Sequence, residues 1–135
     1  IETRWQAQVL PLITFNGNYT YQLAENRSPF SFERGNDLPN APRHRLSNSL
    51  EIKQSSWRCW FEYQRESQHY LDRANLRTVT QRTLYNGGLR RALITSTALT
   101  LEVHNITDNQ VADLWGYPLP GRSYSMTLNH ALIHP

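Results

Sequence analysis

Five histidines, a scatter of carboxylates set beside arginines and one cysteine are the side chains of this 135-residue chain suited to metal or acid–base chemistry. His44, His69, His104, His130 and His134 stand clear of one another and of any Cys, Asp or Glu at ligand spacing. His130 and His134 lie four apart, which pairs ligands on a helix but not on a strand. They read as surface histidines rather than a metal site. Cys59 alone can neither close an internal disulfide nor seed a zinc cluster. There is no Gly-x-Ser-x-Gly elbow, no phosphate loop and no nucleophile with an evident base, so the chain reads as non-enzymatic and without a cofactor. Glu51, Glu62 and Glu102 fall beside arginines on polar strand faces, as solvated charge pairs do. Asn18-Tyr-Thr20, Asn26-Arg-Ser28 and Asn105-Ile-Thr107 match the glycosylation sequon.

The elements that would position these residues are strands. Thr3 to Leu10 sets Trp5, Ala7 and Val9 against Arg4, Gln6 and Gln8, and Pro11-Leu12 allows only a tight turn. Ile13, Phe15, Gly17, Tyr19, Tyr21 and Leu23 then alternate strictly with Thr14, Asn16, Asn18, Thr20 and Gln22. Residues 24–42, punctuated by Pro29, Gly35, Pro39 and Pro42, read as a long loop. A third strand sets His44, Leu46, Asn48, Leu50 and Ile52 against Arg43, Arg45, Ser47, Ser49, Glu51 and Lys53. After a turn at Gln54-Ser55, a fourth sets Trp57, Cys59, Phe61 and Tyr63 against Arg58, Trp60, Glu62 and Gln64. Residues 67–77 are loop. The fifth strand, Thr78 to Leu93, has its faces blurred by Gly87-Gly88 and Arg90-Arg91, a place for a bulge. A turn at Ile94-Thr95 leads to Leu99, Leu101 and Val103 alternating with Ala98, Thr100, Glu102 and His104. Residues 105–121 are loop. In that loop Gly116, Pro118, Pro120 and Gly121 forbid helix or ladder pairing. The last strand puts Tyr124, Met126 and Leu128 on one face and Ser123, Ser125, Thr127 and Asn129 on the other. The chain reads as all-β, a meander of about seven strands.

Composition admits both a soluble and a membrane reading. No run approaches eighteen consecutive apolar residues, which excludes a spanning helix; the mean hydropathy of −0.64 and an apolar fraction of 39% look soluble, but alternating barrel strands average to just such values. The net charge of +3 rests on arginines spread along the chain, so no nucleic-acid patch is read. The opening Ile1-Glu-Thr lacks an initiator Met, a charged n-region and a cleavage site, and suggests a piece of something longer. Connections alternate between tight and long, which puts the long loops at one end and the tight turns at the other, as in outer-membrane barrels. Trp5, Tyr19, Tyr21, Trp57 and Tyr124 sit near strand ends, where interfacial girdles lie.

Gly116-Tyr-Pro-Leu-Pro-Gly-Arg-Ser-Tyr124 and the alternating strand after it resemble the C-terminal end of a TonB-dependent outer-membrane receptor. So do Asn105-Ile-Thr-Asp108, Leu38-Pro-Asn-Ala-Pro-Arg-His-Arg45 and Asn18-Tyr-Thr-Tyr21, in order and over nearly the whole chain. The resemblance implies that residues 1–135 are the C-terminal part of a 22-stranded transmembrane barrel in a Gram-negative bacterium. Such a barrel takes up a scarce ligand such as an iron–siderophore or cobalamin. Its partners would be outer-membrane lipid and the small-molecule ligand. TonB, ExbB and ExbD would act only through a plug domain that this segment lacks. Loops 24–42, 67–77 and 105–121 would be extracellular. Phe30, Phe32, Arg34, Trp115 and Tyr117 would then be the ligand-contact candidates, since Arg and aromatics anchor an anionic, aromatic chelate. The family usually ends on an aromatic residue, often Phe; here Leu132 stands in that place and Ile133-His134-Pro135 follows. Isolated, the segment would have two unpaired strand edges and is expected to self-associate. The alternative is a soluble all-β module, a sandwich or lipocalin-like barrel, that binds a glycan or a protein partner.

Overall fold

A computed structural model describes residues 1–114 and 117–131. Seven strands make one antiparallel sheet in chain order: β1 (Glu2–Leu10), β2 (Ile13–Tyr21), β3 (His44–Gln54), β4 (Trp57–Glu66), β7 (Arg82–Ile94), β8 (Thr97–His104) and β11 (Ser123–His130). Two small hairpins lie in the long connections. β5 (His69–Tyr70) pairs with β6 (Thr78–Val79), and β9 (Ala112–Leu114) pairs with β10 (Tyr117–Pro118). The alternating stretches of aromatic and β-branched residues thus become the long strands. Pro11-Leu12, Ser55-Ser56 and Thr95-Ser96 close tight turns at one end, the latter two one residue later than the sequence pattern suggests.

Three further differences from that pattern have physical causes. The fifth long strand begins at Arg82, because Thr78-Val79 is drawn off to pair with His69-Tyr70. Its register is regular through Gly87-Gly88, and the irregularity falls between Ala92 and Ile94 beside the turn. Tyr117-Pro118 does join a ladder despite the prolines. The pairing is only two residues long and shifts at Pro118, the kind of short edge where a missing N–H is tolerated.

Register fixes the faces. Trp5, Gly17, Asn48, Tyr63 and Tyr85 form one cross-strand row, and Phe15, Leu50, Phe61, Gly87, Val103 and Tyr124 form another on the same face. The first row is mid-strand in β1 but reaches β8 only past its end, where the Ile106 N–H bonds the Tyr85 carbonyl at 2.8 Å. Strands therefore slide progressively along the sheet, as tilted barrel strands must. In β7 the glycines and arginines divide cleanly. Gly87, Leu89 and Arg91 join the apolar face; Gly88, Arg90 and Ala92 join the polar one.

The apolar face has no cover. Leu50, Ile52, Phe61, Leu101, Tyr124, Met126 and Leu128 are exposed, and the buried apolar residues among those described are Val79 and Ala98. The chain exposes 9743 Å², about a third more than the roughly 7,300 Å² of a compact monomer of its mass. It is a single curved layer with β1 and β11 as open edges. A soluble sandwich or closed small barrel would need a second layer over the apolar face, and no described residue supplies one.

Candidate functional site

The polar face is concave and cradles a cleft of about 490 Å³. Asn16, Ser49, Glu62, Arg90 and Thr100 contribute to its wall, and Trp60 lies across Gly88, whose missing side chain leaves room for the indole. Two three-membered charge groups brace this wall. Near the turns, Glu51 takes Lys53 at 2.5 Å and the Arg58 Nε at 2.7 Å. Toward the long loops, Glu66 takes Arg82 at 2.8 Å and Arg45 at 3.4 Å. Ser125 Oγ donates to Glu102 at 3.2 Å. Of the acids that the sequence sets beside arginines, Glu51 is ion-paired across to β4, whereas Glu62 and Glu102 accept from Asn86 and Ser125 on neighbouring strands, all on one polar surface. Among the described residues no three His, Cys, Asp or Glu gather as a metal site. His44 bonds the Tyr19 hydroxyl at 2.7 Å, His130 bonds Thr97 Oγ1 at 2.8 Å, and His69 is buried behind β6.

At the opposite end of the strands the three long connections form the second candidate surface. The first two are strapped together. Asn75, held at φ 56°, accepts from the Asp37 N–H at 2.8 Å and donates to the Asp37 carbonyl at 2.9 Å. Asn36 Nδ2 donates to the Arg73 carbonyl at 2.9 Å, and the Asn40 N–H donates to that of Tyr70 at 2.8 Å. Inside the second loop, Asp72 accepts from the N–H groups of Ala74, Leu76 and Arg77 at 2.9, 3.2 and 2.6 Å. Burial pushes the Asp72 carboxyl up, but these N–H donors outweigh it and hold the carboxyl below the usual carboxylate range. In the third loop Asn105 is buried at φ 53°. Its side chain accepts from the Asn109 N–H and donates to the Asn109 and Pro120 carbonyls. Asp108 receives the Arg122 N–H at 2.8 Å. The Asn-Ile-Thr-Asp motif is therefore a loop staple.

The ligand-contact candidates divide. Phe30 and Phe32 are 61% and 66% exposed with ring centroids 5.9 Å apart, and Arg34 lies beside them, its Nε donating to the Ser28 carbonyl at 3.2 Å. They form one aromatic and cationic tip. Tyr117 is exposed on β10, with no ring partner among the described residues. Trp115 lies outside the described residues, as do Leu132 to Pro135. What sequence reasoning missed is the strap: Asn75 and Asp37 are 38 positions apart, and the available signal is only the Asp72-x-x-Asn75 turn pattern.

On the outside of the sheet, Tyr19 stacks on His44, Tyr21 lies tilted against it, and Tyr63 packs on Tyr85 at 5.3 Å. With Tyr124 they make an aromatic belt toward the long loops, while Trp5 stands mid-strand in β1. Trp57 stands at the turn end. Between the belt and Trp57 lie Phe15, Leu50, Ile52, Leu89, Leu101 and Met126. An apolar band edged by an aromatic belt toward the long loops and by Trp57 toward the turns, outside a wet charged wall, is the section of a membrane barrel.

Solved structures agree. The siderophore receptor PiuA from Acinetobacter baumannii superposes with a TM-score of 0.80 at 20% identity, covering 96% of this chain and 21% of its own. The fold is that of a segment of a TonB-dependent receptor barrel. The copper transporter OprC matches this barrel segment at 0.80 and 12% identity, over 97% of the segment and 23% of OprC. The ferric yersiniabactin uptake receptor FyuA from Yersinia pestis matches at 0.76 and 18%, over 95% and 21%. The segment spans about a fifth of the length of these structures. No family model and no curated protein matches the sequence.

Proposed function

We propose that residues 1–135 form the C-terminal wall of an outer-membrane receptor barrel that imports a scarce ligand, an iron chelate first of all, and has no enzymatic role. The carrying observation is the two-faced single layer: an uncovered apolar outside with an aromatic belt, and a concave, charged inside. Siderophore receptors superpose on it with TM-scores up to 0.80, which supports the ligand class. In this reading the strapped loops face the cell exterior and the tight turns face the periplasm. The concave wall faces a plug domain, supplied by the rest of the protein, through which TonB, ExbB and ExbD act. Phe30, Phe32, Arg34, Trp115 and Tyr117 meet the ligand. Self-association belongs to the segment only when its edges β1 and β11 lack their barrel neighbours.

Cell fractionation tests the reading. An antibody against residues 116–124 is expected to find the protein in the outer membrane, at a mass several times the segment's 15.8 kDa. A soluble band at the segment's own mass contradicts it.

A further inference from the structure

The outer face is apolar, yet it carries charge of one sign. Glu2, Glu51, Glu62, Glu66 and Glu102, the carboxylates of the seven long strands, all fall on the concave face by register. The outer face of those strands carries two guanidinium groups and no carboxylate. Arg65 stands one residue from the long-loop end of β4, and Arg91 stands near the turn end of β7. They bracket the apolar band from opposite sides. Arg65 donates to Gln81 at 2.7 Å. Arg91 is exposed, its guanidinium 4.6 Å from the centroid of the Trp57 ring on the neighbouring strand.

The surroundings of Arg91 are graded. Leu99 lies directly opposite it, with Leu128 next in the same row. One outward row nearer the turns, Thr97 Oγ1 and His130 Nδ1 are in contact at 2.8 Å. Hydrocarbon surface is thus on one side of the guanidinium and hydrogen-bonding surface on the other. A guanidinium without an anion is costly within a bilayer but tolerated at its boundary, where it offers paired donors that fit a phosphate. The indole face holds that cation in place.

We propose that Arg91 and Trp57, with Thr97 and His130 alongside, bind the phosphate of a phospholipid headgroup in the leaflet nearer the turns, with its acyl chains along Leu99 and Leu128. The site rests on the barrel reading above, and its test separates the two. The full-length protein carrying this segment is reconstituted in bilayers containing phosphatidylglycerol. Insertion is read from its heat-modifiable mobility, and lipid retained after detergent release is read by native mass spectrometry. The expected result is an inserted protein that retains phosphatidylglycerol, with retention about three- to tenfold lower in R91Q. R91K keeps part of it, W57L loses part of it, and free glycerol phosphate does not displace the lipid. Insertion with equal retention in R91Q overturns the site alone. Displacement by glycerol phosphate at equal concentration overturns the lipid assignment. Failure to insert overturns the barrel reading and the site together.

Discussion

Trp60 and Gly88 act as one unit. An added Cβ at position 88 would overlap the Trp60 indole, which lines the concave wall. G88A is therefore expected to destabilise the barrel by about 1–3 kcal/mol. The W60L/G88A pair should lose less than the sum of the single variants, as read from thermal unfolding of each. The Phe30–Phe32 tip is different. Both rings are exposed and pack mainly on each other, so their removal should leave folding unchanged. If the proposed function holds, F30A/F32A is expected to weaken binding of an iron chelate about tenfold, measured by tryptophan quenching on the full-length protein. Unchanged affinity would move the ligand contacts elsewhere. These residues were legible as types, because exposed aromatics and Arg in a Pro- and Gly-broken loop stand out. Their mutual contact was not, since it depends on a turn in which the Phe30 carbonyl accepts from the Glu33 and Arg34 N–H groups.

At the scale of elements, the two-residue turns and the long strapped loops have different chemistry. Asp72 gathers three backbone N–H groups and organises the loop joining β5 to β6. Because its folded pKa lies below the unfolded value, its contribution is complete above the ordinary carboxylate range. It is lost as pH falls below the ordinary carboxylate range and through the depressed value. The Ala74 and Arg77 amide shifts are expected to hold steady from neutral pH down to that point and then move together. D72N should free the loop already at neutral pH and speed tryptic cleavage after Arg73 and Arg77; unchanged cleavage would deny Asp72 this role. Strands β1 to β4 were readable from side-chain alternation because most residues of their outer rows are apolar or aromatic. β7 was not, because Gly87 and Gly88 carry no side chain to mark a face and Arg90 and Arg91 point to opposite ones. The β5–β6 and β9–β10 hairpins are too short for alternation to show. The Asp37–Asn75 strap joins loops distant in sequence, where local pattern has no reach.

At the scale of the whole molecule, the sheet makes physical sense only with something on each side of it. Water suits the concave wall, with its Lys53–Glu51–Arg58 and Arg45–Glu66–Arg82 groups. Hydrocarbon suits the outer face, where Tyr124, Met126 and Leu128 stand 72%, 74% and 65% exposed. The decisive test reads both environments along one strand. In a Cys59→Ser background of the full-length protein, single cysteines are placed at residues 123 to 130, spin-labelled and examined in bilayers. Positions 124, 126 and 128 should be accessible to oxygen and closed to a water-soluble nickel chelate, and positions 125, 127 and 129 should show the reverse. Accessibility to the chelate at every position, or at none, would contradict a membrane barrel wall.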